Sequence, residues 1–229
     1  MILYYITDRK QFAGDDSEQC SCVLAKIAEA ARAGVDYIQL REKDLPSRGL
    51  EELAKAAVQA VRGSRTHLLI NSRSDVALAC GADGVHLTST DLPAGDARAL
   101  WMKVRPESPP VIAVSCHSTG EVRMAESQGA DFAVLAPIYE KQVAKHAPGV
   151  PPLGVQLLAE ACGRIRPPEH TESAPTPSKF RVLALGGITL ENAETCLAAG
   201  AAGIAGIRIF QENDVADVVR RLRQLGPFF

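Results

Sequence analysis

Ala33-Gly34-Val35-Asp36-Tyr37-Ile38 is a phrase that the chain repeats as Cys80-Gly81-Ala82-Asp83-Gly84-Val85 and again as Gln128-Gly129-Ala130-Asp131-Phe132-Ala133, with the aspartates 47 and 48 residues apart. A weaker copy lacking the aspartate runs Ala199-Gly200-Ala201-Ala202-Gly203-Ile204. Each glycine stands where a helix ends in a left-handed residue, and each apolar run after it is short enough for a fully buried strand. The repeated unit is therefore helix, tight turn, parallel strand, with about two units per period. That pattern predicts a fold wound from alternating strands and helices.

Eight strands follow from it: Ile2–Ile6, Tyr37–Leu40, Leu68–Ile70, Gly84–Leu87, Val111–Val114, Phe132–Leu135, Val182–Leu185 and Ala202–Ile207. Helices are predicted over 20–33, 47–61, 76–80, 96–104, 119–128 and 153–165, with another opened by Gly186-Gly187 and a last one over 214–225. Ser47 reads as an N-cap and Gly63 as a stop. A chain of 229 residues suits a TIM (β/α)8 barrel of parallel strands, closed as a single domain over 1–229. An open doubly wound sheet would carry a Gly-rich dinucleotide turn after its first strand, where this chain has Ile6-Thr7-Asp8-Arg9-Lys10. Residues 166–179, with Pro167, Pro168, Pro175 and Pro177, read as a flexible insertion leading into the seventh strand, away from the site.

Composition narrows the class. Apolar residues make up 46% and charged residues 23%, enough for a large aliphatic core in a globular protein. The chain has no apolar run long enough to span a membrane, and its start lacks the features of a signal peptide, so a cytoplasmic location is expected. A formal charge of −2 with no basic run argues against a nucleic-acid surface. Cysteines at 20, 22, 80, 116, 162 and 196 show no paired metal-ligand spacing and read as buried, reduced thiols.

In such a barrel the site lies at the C-terminal ends of the strands. After the second strand, Gln39, Arg41 and Lys43 alternate onto one face. Two cations side by side at a barrel mouth are costly unless an anion is there, which predicts a phosphate or diphosphate ligand; surface pairs with Glu42 or Asp44 are the alternative. Asn71-Ser72 follows the third strand. Asp91 follows the fourth and either holds a divalent cation or caps the helix beginning near Leu92. Ser115 and His117 follow the fifth, His117 being either a proton shuttle or a hydrogen-bonded loop residue. Tyr139, Lys141 and Lys145 lie in the loop after the sixth. Gly186-Gly187 after the seventh lets backbone N–H groups approach a phosphate, and Ile207 ends the eighth. Arg208 adds a donor there or faces solvent. His86, inside the fourth strand, reads as a core residue or one behind the site.

The ordered phrases Gln39-Leu40-Arg41-Glu42-Lys43, Gly81-Ala82-Asp83-Gly84-Val85-His86-Leu87 with Asp91-Leu92-Pro93, Val114-Ser115-Cys116-His117, Pro137-Ile138-Tyr139 and Gly186-Gly187-Ile188 resemble the thiamine-phosphate synthase and thiazole tautomerase family from Tyr4 to about Phe210. The resemblance implies a transferase that joins hydroxymethylpyrimidine diphosphate to thiazole phosphate and releases diphosphate. It implies that Gln39, Arg41 and Lys43 hold the pyrimidine and its diphosphate, with Asn71 on the same ligand and Asp91 on Mg²⁺. It also implies Ser115 on the pyrimidine or the leaving group, and the Gly186-Gly187 backbone on the thiazole phosphate.

The chain departs from the family pattern at two places. Asn71-Ser72 stands for Asn-Asp, so a hydroxyl replaces a carboxylate beside the metal, and Lys141-Gln142-Val143-Ala144-Lys145 stands for Thr-x-Thr-Lys. Lys141 and Lys145 are expected to bind diphosphate directly. Besides the synthase, two other functions stay open: a thiazole-phosphate tautomerase using His117, and a barrel that binds a thiamine precursor without catalysis. Partners are expected to be small phosphorylated molecules. The oligomeric state is left open, a homo-oligomer being compatible with the sequence.

Overall fold

Eight strands pair in parallel around a closed ring, in sequence order, in a computed structural model that describes residues 1–140, 151–164 and 180–226. They are β1 (Ile2–Ile6), β2 (Tyr37–Leu40), β3 (His67–Asn71), β4 (Gly84–Leu87), β5 (Val111–Cys116), β6 (Phe132–Leu135), β7 (Arg181–Ala184) and β8 (Gly203–Gly206). The helices packed outside are α1 (Asp16–Ala33), α2 (Ser47–Val61), α3 (Ser74–Cys80), α4 (Ala94–Val104), α5 (Thr119–Ser127), α6 (Gly154–Ala161), α7 (Ala193–Ala198), α8 (Arg208–Gln211) and α9 (Val215–Gln224). This is the TIM barrel expected from the repeat. No helix among the described residues is long and apolar enough to cross a membrane. The 166–179 insertion lies outside the described residues.

The repeated phrase does two jobs. Gly34, Gly81, Gly129 and Gly200 all sit at positive φ, between 76° and 102°, reversing the chain from helix to strand. Each aspartate then reaches the neighbouring strand. Asp36 Oδ2 accepts from Leu3 N at 2.7 Å, Asp83 Oδ2 from Leu68 N at 2.8 Å and Asp131 Oδ2 from Ile112 N at 2.7 Å. The donors start β1, β3 and β5, so the aspartates satisfy alternate strand beginnings on the face opposite the candidate site.

Pleat parity divides the core. Tyr4, Ile6, Leu69, Ala113, Phe132, Val134, Leu183 and Ala205 form one cluster within the ring. Leu3, Tyr5, Ile38, Leu40, Leu68, Ile70, Val85, Ala133 and Leu135 belong to a larger one with the helices. Both sets are aliphatic or aromatic because a parallel sheet covered by helices is buried on both faces.

Several boundaries differ from the sequence-based expectation. Helix α1 starts at Asp16 and not Cys20, because Asp15 and Glu18 form a capping box ahead of the apolar stripe. The N-cap of α2 is Pro46, with Ser47 already helical. Strand β5 extends to Cys116, which places Ser115 inside the sheet. Helix α6 ends at Ala161, not at 165. The Gly186-Gly187 pair does not open a helix; α7 begins at Ala193. The short α8 was not anticipated. All six thiols are free, but only Cys116 and Cys196 are buried, and Cys22 is exposed.

Candidate active site

Strand β2 ends at Leu40, so Arg41 is held by its neighbours and not by the ladder. Its N–H donates to Thr7 Oγ1 at 3.0 Å. That hydroxyl donates to Glu42 Oε1 at 2.6 Å, and Glu42 Oε2 accepts from Arg9 N at 3.0 Å. Arg9 is itself 1% exposed and pairs with Asp44 at 2.9 Å. Glu42 is thus a buried strut tying the end of β2 to the segment after β1, and burial pushes its carboxyl above the ordinary range. Gln39 is buried and Arg41 half-buried, whereas Lys43 sits exposed on the following turn. The expected alternation therefore reaches Arg41 but is not continued to Lys43 by strand geometry.

The turns after β3 and β4 meet at Asp91. Ser72 is the one non-glycine residue at positive φ, 59°, among the described residues. It accepts from Asn71 Nδ2 at 3.1 Å and donates to Asp91 Oδ2 at 2.7 Å. The same oxygen accepts from Thr88 N at 2.6 Å and Thr88 Oγ1 at 2.9 Å. Asp91 does not cap α4, whose N-cap is Pro93 without a side-chain bond; it closes the Thr88–Asp91 turn. Among the described residues no group of three or more His, Cys, Asp or Glu could hold a metal. One carboxylate suits a Mg²⁺ ion that takes its other ligands from phosphate and water.

Beneath the mouth runs a buried polar chain. Gln39 Nε2 donates to Tyr4 Oη at 3.1 Å, Tyr4 Oη lies 2.9 Å from His86 Nδ1, and His86 Nε2 lies 2.7 Å from Ser115 Oγ. Burial, aided by the positive charge of Arg41, drives the His86 imidazole down to about 3, while Asp91 acts the other way. His86 is accordingly neutral across the physiological range. Burial also pushes the Tyr4 phenol far up. Arg41, Ser72 and Asp91 follow the consecutive parallel strands β2, β3 and β4, so they lie at the same end of the barrel.

The opposite arc is built by the loop after β6. His117 is exposed; its Nδ1 lies 2.7 Å from Ala136 O, and its N–H donates to Glu121 Oε2 at 2.8 Å. Gly186 and Gly187 follow β7 at φ 97° and 62°. A Cβ on Gly186 would stand 2.7 Å from Pro137, and one on Gly187 would stand 2.7 Å from Glu140 O. Gly186 O also accepts from Tyr139 N at 3.0 Å. The glycines are therefore required by close approach of the 136–140 loop as well as by their φ. Among the described residues nothing accepts from the N–H of Gly186 or Gly187.

Other candidates are placed as follows. Tyr139 Oη accepts from Cys196 Sγ, in α7, at 3.8 Å, and burial pushes its phenol up to about 12. Ile207 packs against the ring interior at the start of α8. Arg208 lies 3.6 Å from Glu212. Lys141 and Lys145 lie outside the described residues. Thr7 and Arg9 support Arg41 without any local sign in the sequence beyond their place at a strand end, and Glu42, a candidate ion-pair partner in the sequence, bonds to them instead.

The family model for thiamine monophosphate synthase matches residues 3–210. A Geobacter sulfurreducens protein provisionally named a thiamine-phosphate synthase is 42% identical over 226 residues, 98% of this chain and 94% of its own. The thiamine-phosphate synthase of Syntrophomonas wolfei is 34% identical over 97% of this chain and 95% of its own. Among solved structures, thiamine phosphate pyrophosphorylase from Pyrococcus furiosus superposes with a TM-score of 0.74 at 28% identity, covering 98% of this chain and 94% of its own.

Proposed function

The chain belongs to the thiamine monophosphate synthase family and is a transferase of that type, and on this premise we propose how its rim couples hydroxymethylpyrimidine diphosphate to thiazole phosphate. Gln39 and Asn71 orient the pyrimidine. Arg41 and Lys43 take the diphosphate, and Ser115 meets an oxygen of that group. The N–H groups of Gly186 and Gly187 seat the thiazole phosphate, which places the thiazole nitrogen toward the pyrimidine methylene.

The C–O bond to diphosphate breaks with its electron pair leaving on the diphosphate, and the pyrimidine ring spreads the resulting positive charge. The thiazole nitrogen lone pair then forms the new C–N bond, giving thiamine phosphate. Arg41 and Lys43 offset the negative charge that grows on the departing group. Asp91 would hold Mg²⁺, with the Ser72 hydroxyl beside it; when bound, the ion supplies further positive charge to the diphosphate. The observation that supports the reading is that Arg41, the Ser72–Asp91 pair and Gly186-Gly187 all follow strands of one closed parallel barrel, whose C-terminal strand ends share a rim.

The relatives carry the synthase name and do not favour a tautomerase or a non-catalytic barrel. The reading is tested by incubating the purified protein with both substrates and Mg²⁺. Stoichiometric release of diphosphate with formation of thiamine phosphate is expected. No diphosphate, with thiazole phosphate still bound, would overturn it.

A further inference from the structure

The buried chain from Gln39 to Ser115 has a direction, and the direction decides what Ser115 offers a ligand. Tyr4 is wholly buried, so its hydroxyl hydrogen must find an acceptor. Its oxygen already receives Gln39 Nε2, and its other polar contact among the described residues is His86 Nδ1, at 2.9 Å. The hydrogen therefore goes to Nδ1, which as an acceptor carries none of its own. A neutral imidazole must then hold its one hydrogen on Nε2, 2.7 Å from Ser115 Oγ. Ser115 accepts that bond, and its own hydrogen is left to point away from His86. The residue is half-buried near the C-terminal end of β5, where the mouth begins.

We infer that Tyr4 and His86 are positioning residues that fix Ser115 as a hydrogen-bond donor toward the barrel mouth, where it meets an oxygen of the departing diphosphate. The choice of diphosphate rests on the reaction proposed above; the direction of the chain does not. The serine keeps its proton throughout, since it donates a hydrogen bond to an oxygen that gains charge as the C–O electron pair arrives. A chain running the other way would commit the serine hydrogen to His86 and turn only lone pairs toward the anion. Tyr4 and His86 thus act at a distance, by orienting one hydrogen.

Two measurements test this. Nitrogen-15 NMR of the full chain without ligand reads the imidazole tautomer directly, with the His86 signals among the five histidines identified by their loss in His86→Gln. Hydrogen on Nε2 is expected; hydrogen on Nδ1 would overturn the inference whatever the reaction. Tyr4→Phe keeps the ring, which packs edge-on against Phe132 at 5.5 Å, and removes the donor to Nδ1. Its kcat is expected to fall about tenfold, with KM for the pyrimidine diphosphate changed less than about twofold. In a Ser115→Ala background the same substitution is expected to lower kcat no further. Unchanged kcat in Tyr4→Phe, or full additivity with Ser115→Ala, would overturn the positioning role. Should Tyr4→Phe fail to fold, the tautomer of the unaltered protein decides. An Nε2 hydrogen in a protein that releases no diphosphate would overturn the link to diphosphate and the reaction on which that link rests, leaving the bond direction in place.

Discussion

Ser72 donates its hydroxyl hydrogen to Asp91 Oδ2 at 2.7 Å, joining the turn after β3 to the turn after β4. The bond gives the carboxylate a neutral partner where the family pattern has a second acid. Ser72→Asp is expected to lower the Mg²⁺ concentration needed for half-maximal diphosphate release by about tenfold, because ligand charge sets the affinity of such sites. The backbone at φ 59° accepts Asp more readily than most residues. Without Mg²⁺ the variant should melt a few degrees lower, since two carboxylates then face each other. A Mg²⁺ titration that coincides with that of the unaltered protein would count against Asp91 as the metal residue.

Arg41 is anchored through its backbone by Thr7, which fixes the start of its side chain at the mouth. Arg41→Ala is expected to weaken hydroxymethylpyrimidine diphosphate by about 2 kcal/mol or more, as for a charge-assisted contact. Calorimetry on the folded variant checks it. Thiazole phosphate binding should stay unchanged in the same variant, since that anion is assigned to the Gly186-Gly187 arc.

Gly186→Ala should do the opposite. A Cβ there stands 2.7 Å from Pro137, at a φ of 97° that alanine rarely adopts. The expected cost in stability is about 1–3 kcal/mol, with thiazole phosphate affinity lost and pyrimidine diphosphate affinity retained. Denaturant unfolding and calorimetry on one preparation separate the two effects.

Glu42 provides a test in pH. Its carboxyl is raised above the ordinary value of 4.5, first by burial, against hydrogen bonds from Thr7 and Arg9 N–H that lower it. A raised value in the folded state means that the native protein binds the proton more tightly than the unfolded chain. Its contribution to stability is therefore full below the unfolded value and is lost as pH rises through the folded one. The stability advantage over Glu42→Gln should accordingly shrink as pH climbs above the ordinary carboxylate value. A gap that widens over that range would contradict the assignment.

Much of this was legible in the sequence, for identifiable reasons. Strands β1, β2, β4 and β6 run over the residues expected, because each is a short apolar run bounded by a left-handed glycine or a polar strand end. Asn71, Ser72, Asp91 and Ser115 stand out in the sequence because a polar residue at or just past the end of a buried strand has few places to go but the rim. What stayed hidden was the supporting layer. Glu42 sits in a charged phrase that looks solvated, and nothing local shows that Thr7 and Arg9, 35 and 33 positions earlier, bury it. The start of α1 was missed because its capping box is polar and lies ahead of the apolar periodicity. The glycine pair was seen, but as the opening of a helix; its need for close approach to Pro137 and Glu140 appears only when β6 and β7 are paired.

In the proposed reaction two anions sit at one rim, with the reacting carbon and nitrogen between them. A crystal structure of the protein with thiamine phosphate, diphosphate and Mg²⁺ bound tests it most directly. Diphosphate is predicted at Arg41 with Mg²⁺ on Asp91, and the phosphate of thiamine phosphate on the N–H groups of Gly186 and Gly187. Either anion bound away from the C-terminal ends of the strands, or both held by the same residues, would contradict the account.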